Sequence, residues 1–435
     1  MNLHSLLQAC AATGNPVRVG LIGAGKFGSM FLSQVSTTQG MNVTVIADLD
    51  VPAVRNACIG VGWDDAHISA TRFTDDAQSL IADLSVDVVI EATGHPAAGL
   101  KHAGIALAEG KHIIMVNVEA DVLAGPMMAA KFRKAGLVYS MAYGDQPALT
   151  SELVDWARAT GFEVVSAGKG TKYLPEYHNV TPDEVWQHYG LTADEAAAAG
   201  MNSQMFNSFL DGTKSAIEMA AIANACDLAV PCDGLAFPPC STDDLQNMLI
   251  PRAHGGVLEA SGMVEVVSSL NRNGSEVPRD LRWGVYVVIK APNDYTAACF
   301  AQYGLPTDKT GQYAVMYKPF HLIGLELGIS VLSAALRGES TGQSRGFNGD
   351  AVACAKRDLA VDDMLDGEGG YTVWGKLMPA VDSVKHGALP IGLAGGVRMV
   401  RSVLKGAVLC WDDVAIDADD PTVQLRREME AMFIN

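Results

Sequence analysis

The sequence lacks several patterns that would assign it directly to a well-known class. Its eight cysteines are scattered, and none has the Cys-x-x-Cys spacing of a zinc ribbon or a thiol redox motif. No apolar run reaches the roughly 18–20 residues that a membrane-spanning helix needs. Residues 1–5 show no basic segment followed by an apolar one, so we expect no signal peptide. These absences favour a cytoplasmic protein and argue against a membrane-spanning one.

Positive charge is also scarce. The chain has 31 lysines and arginines against 49 aspartates and glutamates, and its formal net charge is −18. Such an acidic chain repels polyphosphate, so nucleic acid is not an expected partner. If the substrate is itself an anion, the few basic side chains that meet it must be clustered. A local group of lysines is therefore more informative here than it would be in a basic protein.

The first third of the chain alternates apolar strands with helices. The chain has 435 residues, 49% of them apolar, which predicts two or three domains at roughly 100–200 residues each. The predicted strands cover 17–22, 43–47, 86–91, 113–117 and 137–142, and the predicted helices cover about 27–37, 96–108 and 127–134. Apolar strands without polar alternation, separated by helices, predict an α/β fold with a doubly wound parallel sheet. We expect this Rossmann domain to occupy residues 1–150.

The rest of the chain predicts two further domains. Strands are expected at 163–167, 264–269, 284–289 and 313–317, with helices at 151–159, within 182–229 and at 321–336. They predict an α+β domain over 151–340 that is built on a mostly antiparallel sheet. A Gly- and Ser-rich linker at 338–349 precedes short apolar segments between charged turns. We therefore expect a small, mostly β module over 350–435. No internal repeat is present.

In the predicted Rossmann domain, a glycine motif lies between the first strand and the helix that follows it. Gly23, Gly25 and Gly28 form Gly-x-Gly-x-x-Gly, with Lys26 and Phe27 between the last two. In this context the first glycine permits a tight turn, the second admits a pyrophosphate, and the third allows helix and strand to pack closely. The helix N-terminus attracts the phosphates. The motif predicts a dinucleotide site.

Two residues bear on which dinucleotide binds. Asp48 ends the second strand, 20 residues after the motif, where a carboxylate binds ribose hydroxyls and favours NAD. Arg55 is the alternative, because its guanidinium could meet the 2′-phosphate of NADP. The residues alone favour NAD.

Later strand ends on the same edge carry polar residues. Thr93, Gly94 and His95 follow one strand, and Asn117 and Glu119 follow the next. The carboxyl edge of such a sheet is where a cofactor or substrate binds. These side chains could contact the nicotinamide side, or they could simply cap the helices that follow. Both interpretations remain open.

The segment "SAGKGTKYLPEYH" brings basic groups to the expected end of a strand. Lys169 and Lys172 could stabilise an oxyanion or hold a phosphate, because an ammonium beside a forming negative charge lowers the barrier. His178 could be a proton shuttle or a packed loop histidine. Asp145, with Glu119 or Glu176, could bind Mg²⁺, and the alternative for Asp145 is a turn.

The segment "FLDGTKSAIEMA" places charged residues at helical spacing. Asp211, Lys214 and Glu218 lie at i, i+3 and i+7, which predicts one face of a helix. The alternative is a surface ion pair that contributes little.

Several longer segments resemble a known family. "MVNVEADVLAGP", "VYSMAYGDQPAL", "SAGKGTKYLPEYH" and "YKPFHLIGLELGIS" are similar to the homoserine dehydrogenase superfamily, and in particular to the 1-deoxy-D-xylulose 5-phosphate reductoisomerase-like (DRL) oxidoreductases. The tail from "AKRDLAVDD" to "LCWDDV" resembles a SAF domain. The resemblance implies a Rossmann domain, a catalytic and dimerisation domain, and a SAF-like module. It also implies an NADPH-linked reductoisomerase that uses a divalent cation, Mg²⁺ or Mn²⁺, and forms a homodimer.

The sequence also departs from homoserine dehydrogenase. The lysine of that family's "TANK" turn is replaced by Glu119 in "VNVEAD", and its "NGTTNYI" turn becomes "KGTKYLP". These changes favour a more negative substrate, such as a phosphorylated keto-sugar. In homoserine dehydrogenases a comparable helix supplies an aspartate and a lysine, which implies catalytic roles for Asp211 and Lys214.

Three functions follow from the sequence. The first is conversion of 1-deoxy-D-xylulose 5-phosphate to 2-C-methyl-D-erythritol 4-phosphate, an isoprenoid precursor. The second is an NAD(P)-dependent dehydrogenase of a small hydroxy-aldehyde or sugar-acid derivative. The third belongs to another class, a nucleotide-sensing protein that binds the cofactor without turnover.

Overall fold

The computed structural model describes residues 2–434. The first elements are α1 (Leu3–Thr13), β1 (Val17–Ile22), α2 (Lys26–Val35), β2 (Met41–Ala47), α3 (Val51–Gly60), α4 (Asp65–Ala70), β3 (Arg72–Thr74), α5 (Ala77–Ile81), β4 (Val88–Glu91), α6 (Pro96–Ala108), β5 (His112–Met115), α7 (Val118–Lys134), β6 (Tyr139–Met141) and α8 (Gln146–Ala159). None of the helices within residues 2–434 is both long and apolar enough to cross a membrane.

The remaining elements follow the same numbering. They are β7 (Glu163–Thr171), α9 (Val185–Tyr189), α10 (Ala193–Ala198), α11 (Ser203–Leu210), α12 (Thr213–Cys226), α13 (Leu245–Met248), β8 (Met263–Ser268), β9 (Val285–Lys290), α14 (Asp294–Gln302), β10 (Tyr313–Lys318), α15 (Gly328–Arg337), β11 (Gly349–Ala355), β12 (Met364–Asp366), β13 (Val373–Pro379), α16 (Ala380–His386), β14 (Gly395–Met399), β15 (Val414–Ala415) and α17 (Pro421–Phe433). Short 3₁₀ turns lie at Pro175–Asn179, Arg252–His254, Ile391–Leu393 and Trp411–Asp413.

These elements form two compact units. The first contains residues 2–152 and 321–345, and the second contains 153–320 and 346–434. The sequence predicted a second domain over 151–340 and a third over 350–435. In the structure, residues 321–345 instead pack with the first unit. The reason is hydrophobic: Leu327, Val331 and Leu332 join the same core as the apolar residues of β1. The predicted helix at 321–336 begins only at Gly328.

The first unit contains a six-stranded sheet in the order β3-β2-β1-β4-β5-β6. Every neighbouring pair of strands is parallel, which confirms the doubly wound prediction. Ile22 at the end of β1 lies between Ala47 of β2 and Glu91 of β4. The segments that follow these three strands therefore share one edge of the sheet.

Strand β5 is shorter than predicted, and the helix after it is longer. The strand ends at Met115, and α7 begins at Val118 rather than near residue 127. The cause is the side chain of Asn117, whose Oδ1 accepts a hydrogen bond from Ala120 N and caps the helix. The apolar character of residues 113–116 hid this boundary.

The second unit contains a four-stranded sheet in the order β10-β9-β7-β8. Only β7 and β8 are parallel, so the sheet is mostly antiparallel, as predicted. The predicted strand at 163–167 extends to Thr171, so Gly168, Lys169 and Gly170 lie inside the sheet. A Cβ at Gly168 or Gly170 would overlap the carbonyl oxygen of Glu265 or Leu281. These glycines admit neighbouring backbone rather than a ligand, which corrects the assignment of this segment to a turn.

The last part of the second unit is small and mostly β, as expected. β11 pairs with β13, and β12, β14 and β15 form a three-stranded antiparallel sheet. β11 and β13 pack against α12. A buried ion pair between Arg426 of α17 and Asp350 of β11, 2.6 Å apart, fixes the final helix to this part of the unit.

The glycines of β7 generate a stability prediction. Gly168→Ala should lower the free energy of unfolding by about 3 kcal/mol, because a methyl group there must displace the backbone of β8. Gly104→Ala is the matched control, since Gly104 lies in α6 with open space around it. That control should raise stability by about 0.5–1 kcal/mol. Urea unfolding measures both changes, and equal effects would contradict the close approach of the strands.

Candidate active site

The glycine loop after β1 has the shape that a dinucleotide needs. A Cβ at Gly23, where φ is +87°, would lie 2.7 Å from Ala92 O, and a Cβ at Gly28 would lie 2.6 Å from Gly23 O. The fold itself therefore requires these two glycines. Gly25 is different, because a Cβ there would meet no described atom within 4 Å. The open space lies at the N-terminus of α2, which begins with Lys26 and Phe27, and it suits a pyrophosphate.

Asp48 supports this loop directly. Its Oδ2 accepts a hydrogen bond from Ala24 N at 2.8 Å, and its Oδ1 accepts one from Asp50 N at 3.1 Å. A carboxylate has about four lone-pair sites, so ribose hydroxyls can still donate to it. Arg55, the alternative partner for a 2′-phosphate, lies exposed with its guanidinium 4.3 Å from the centre of the Phe73 ring.

Two of the predicted strand-end residues serve as helix caps. Asn117 caps α7, and its Nδ2 donates to His95 O at 3.0 Å. His95 caps α6, since its Nδ1 accepts from Ala98 N at 3.4 Å. The capping alternative is therefore realised for both residues, and Asn117 also joins the two strand-end segments.

Among the other strand-end residues, Thr93 contacts a buried carboxylate, that of Glu91. Thr93 Oγ1 donates to Glu91 Oε1 at 2.6 Å, and His102 Nδ1 lies 3.2 Å from the same oxygen. Glu91 is fully buried. Gly94 forms an exposed turn with φ +69°, and Glu119 is buried in the first turn of α7. Their roles in cofactor binding stay predictions.

The proposed metal ligands lie in different units. Asp145 is buried in the first unit, where its Oδ1 accepts from Gln146 N at the start of α8. Glu176 is exposed in the second unit, in the turn Pro175–Asn179. Within residues 2–434, no group of three or more histidine, cysteine, aspartate or glutamate side chains is arranged to hold a metal ion. The divalent cation stays a prediction.

Neither predicted lysine lies as a free cation at a strand end. Lys169 is 5% exposed in the middle of β7, and its ammonium forms an ion pair with Glu218 of α12. Lys172 is partly buried, and its ammonium donates to the carbonyl oxygen of His188. Burial lowers the pKa of Lys172, and the positive charge of Arg282 acts in the same direction. Both lysines thus join segments of the second unit.

Asp211, Lys214 and Glu218 do not form one helix face, contrary to expectation. α12 begins at Thr213, so Asp211 directly follows α11 and precedes Gly212, where φ is +93°. Asp211 Oδ1 accepts from Thr213 N at 2.9 Å.

The three charged groups have three separate partners. Asp211 Oδ2 lies 2.7 Å from Lys356 Nζ, and Lys214 Nζ lies 3.9 Å from Glu368 Oε1. Glu218 pairs with Lys169. The sequence spacing identified residues that do form ion pairs, but their partners are distant in sequence.

His178 has a defined protonation pattern. Its Nδ1 lies 2.6 Å from the carbonyl oxygen of Asp211, which can only accept, so Nδ1 carries the proton. Its Nε2 lies 2.9 Å from the Tyr173 hydroxyl and therefore accepts from it. Burial is the main cause that lowers the pKa of His178 to about 4; the hydrogen bond to the Asp211 carbonyl acts in the opposite direction, and the charges of Lys356 and Lys376 add to the lowering. The ring is neutral at pH 7 and can gain a proton only at Nε2.

Aromatic residues that sequence reasoning missed enclose this ring. Trp374 stacks on His178 with ring centres 3.8 Å apart, and Phe237 stacks on Tyr173 at 3.9 Å. Phe237 and Trp374 come from loop and strand segments far along the chain. No periodicity or motif marks them, so only the fold brings them to His178.

The glycine loop, the parallel sheet and the family matches define an NAD(P)-dependent oxidoreductase. Residues 23–140 match the family model described as homoserine dehydrogenase, NAD binding domain. Residues 144–327 match the family model described as oxidoreductase DRL, catalytic domain. The first match covers the glycine loop, and the second covers His178, Asp211 and the ion pair of Lys169 with Glu218. No curated protein sequence shows significant similarity to the chain.

Solved structures resemble the chain only in part. Biliverdin reductase from Synechocystis sp. PCC 6803, in complex with biliverdin and NADP+, is 19% identical; the alignment covers 37% of this chain and 48% of that one, with a TM-score of 0.27. This chain thus aligns with about half of that enzyme. A probable dehydrogenase from Thermotoga maritima is 13% identical over 74% of this chain and 90% of that one, with a TM-score of 0.39. Homoserine dehydrogenase from Thiobacillus denitrificans is 18% identical over 48% and 49%, with a TM-score of 0.35.

Asp48 generates a prediction on cofactor preference. Asp48→Asn keeps an oxygen that can accept from Ala24 N but removes the negative charge that repels a 2′-phosphate. The ratio of kcat/KM for NADPH over NADH should rise about tenfold, which corresponds to about 1.4 kcal/mol. Steady-state kinetics with both cofactors measure the ratio. Asp50→Asn is the control, because Asp50 caps α3 and should change the ratio less. An unchanged ratio in Asp48→Asn would place the ribose elsewhere.

Proposed function

We propose that the protein is an NADPH-dependent reductoisomerase that converts 1-deoxy-D-xylulose 5-phosphate to 2-C-methyl-D-erythritol 4-phosphate. The observation that carries this proposal is the match of residues 144–327 to the DRL catalytic domain. That region also contains the enclosed histidine, and it follows directly after the NAD-binding domain. The segments "SAGKGTKYLPEYH" and "YKPFHLIGLELGIS", which resemble the DRL oxidoreductases, begin within it.

The chain's own groups have distinct tasks in this proposal. The open space at Gly25 receives the pyrophosphate, and Asp48 accepts from the ribose. A bound nicotinamide cofactor supplies the hydride. His178 takes up and returns a proton at Nε2, and Asp211 orients the ring through its carbonyl oxygen. Lys214, in the first turn of α12, is proposed as the cation that meets the substrate.

Several further features belong to the same proposal. The resemblance implies a divalent cation, Mg²⁺ or Mn²⁺, which commonly takes one or two carboxylates together with oxygens of the substrate. The assembly would be a homodimer, and residues 350–435 would form a SAF-like module. The resemblance to the DRL oxidoreductases supports each of these features.

A second candidate function rests on the lysines. Lys169 and Lys172 were candidates to stabilise an oxyanion or to hold a phosphate, but both ammonium groups already have partners inside the second unit. This arrangement favours a substrate without a phosphate group. The second candidate is therefore an NAD(P)-dependent dehydrogenase of a small hydroxy-aldehyde or sugar-acid derivative.

A substrate panel tests these functions. The purified protein should oxidise NADPH, followed at 340 nm, with 1-deoxy-D-xylulose 5-phosphate and Mg²⁺. Gly25→Ala is the control: its methyl group meets no described atom but fills the space for the pyrophosphate, so turnover should fall at unchanged stability. Turnover only with unphosphorylated C4–C5 compounds would support the dehydrogenase instead. Cofactor binding with no turnover of any compound would contradict both and leave a nucleotide-sensing protein.

A further inference from the structure

The segment of the second unit after residue 345 reaches the residues proposed for catalysis. We call residues 346–434 the C-terminal module. Lys356, which directly follows β11, is 4% exposed, and its Nζ lies 2.7 Å from Asp211 Oδ2. The same ammonium donates to Val180 O at 2.9 Å and to Gly370 O at 2.7 Å. The module thus supplies the positive charge that balances a fully buried carboxylate.

A second contact comes from β13. The Trp374 indole lies on the imidazole of His178 with ring centres 3.8 Å apart and planes inclined by 22°. The next residue, Gly375, donates its N–H to Thr213 Oγ1 at 2.7 Å, and a Cβ there would lie 2.9 Å from Thr213 Cγ2. This close approach of β13 to the start of α12 fixes the position of the indole.

Phe237 encloses the histidine from another direction. Its ring stacks on Tyr173 and meets the His178 ring edge-on at 6.2 Å. Its backbone has φ +49°, a region that bulky residues rarely adopt and that is often found at functional sites. Two side chains hold it there. The Glu265 carboxylate accepts the N–H of Phe237 at 3.3 Å, and Arg272 Nη2 donates to Phe237 O at 3.0 Å.

These contacts leave His178 with one ring nitrogen, Nε2, at which it can gain or lose a proton. Its Nδ1 proton is committed to the Asp211 carbonyl, its face is covered by Trp374, and its Nε2 accepts from Tyr173. The ring can therefore exchange a proton only along the line to the Tyr173 hydroxyl. Stability alone does not explain the buried ion pair between Lys356 and Asp211. Apolar residues of similar volume can often replace such a pair at no cost in stability.

We propose that the C-terminal module completes the catalytic centre, with Trp374 and Lys356 as positioning residues for His178 and Asp211. Trp374 fixes the plane of the imidazole, and Lys356 fixes the Asp211 segment whose carbonyl selects the ring tautomer. The inference rests on the proposed function in one respect, that His178 and Asp211 take part in the chemistry. It assigns the module a task within the reaction.

A spectroscopic test needs no substrate. In the full-length protein labelled with ¹⁵N-histidine, the His178 signals are those that His178→Gln removes. They should show the Nδ1–H tautomer and stay constant above about pH 5, because burial lowers the pKa of His178 to about 4. Trp374→Leu should mix the two tautomers. Lys356→Met should raise the titration midpoint by about one pH unit, because it removes a positive charge that lowers the pKa of His178.

A kinetic test uses the compound that the substrate panel identifies. Trp374→Leu should lower kcat about tenfold or more through misplacement of the ring, while KM for the cofactor stays within about twofold. Trp374→Phe should restore most of kcat. In a protein that already carries His178→Gln, adding Trp374→Leu should lower kcat by less than about twofold, because the two residues act as one unit.

Matched controls lie in the same module. Trp411→Leu removes a buried indole that packs under the Arg427 guanidinium at 3.7 Å, and Arg426→Met breaks another buried ion pair. Both should lower stability and leave the His178 signals and kcat unchanged.

The inference is overturned if Trp374→Leu and Lys356→Met fold and leave three quantities unchanged: the His178 tautomer, the His178 titration midpoint and kcat. It is also overturned if the control variants change the His178 signals equally. If Trp374→Leu does not fold, Trp374→Phe and Lys356→Arg are measured by the same His178 signals. Trp374→Phe should give signals between those of the native protein and a mixed tautomer, and Lys356→Arg should give nearly native signals. A wild-type protein that turns over no compound contradicts the proposed function alone, because the spectroscopic test still decides the inference.

Discussion

In the second unit Lys169 and Glu218 form a buried ion pair in which each charge depends on the other. Lys169 projects from the middle of β7, the strand that pairs with both β8 and β9, and Glu218 lies in the middle of α12. Two charges removed from water are costly, and the cost is offset only while both partners are present. The pair therefore fixes α12 on the sheet. α12 in turn packs against β11 and β13, so the placement of the C-terminal module follows from the same interaction.

This anchoring explains how charged residues come to surround a neutral histidine. α12 begins immediately after Asp211 and Gly212, so a fixed helix start also fixes the carbonyl that accepts from His178 Nδ1. The module then contributes Trp374 and Lys356 from the other side. Asp211 and Glu218 each have a lysine partner, and the imidazole beside them is a neutral group that can gain a proton at Nε2. The net charge of −18 therefore says little about this centre, whose cations are few but buried.

Much of the fold could be predicted from the sequence because it rests on local patterns. The apolar runs that became β1, β4 and β5 show no polar alternation, which is typical of strands buried on both faces, and the glycine motif fixed where α2 begins. The same local logic failed at Gly168 and Gly170. Glycine is a strong turn signal, and only the neighbouring strands reveal that here it permits close packing of backbones.

The candidate site could be predicted only in part, for a related reason. Asp211, Lys214, Lys169 and His178 were recognised as chemically capable, but the sequence does not reveal their partners. Lys356 lies 145 residues after Asp211, and Trp374 lies far beyond His178, so no spacing rule joins them. For Asn117 and His95, in contrast, the capping partners are close in sequence. Their capping roles are local, and both were open alternatives from sequence.

A double-mutant cycle on Lys169 and Glu218 tests the central claim, that each of these buried charges balances the other and that the pair serves the fold of the second unit rather than the chemistry. Lys169→Met and Glu218→Leu should each lower the free energy of unfolding by about 3–5 kcal/mol, because each leaves one charge buried and unpaired. The double variant should recover most of that loss and keep kcat within a few-fold of the native protein. A double variant that folds stably but has lost all turnover would contradict the account and make Lys169 a catalytic residue.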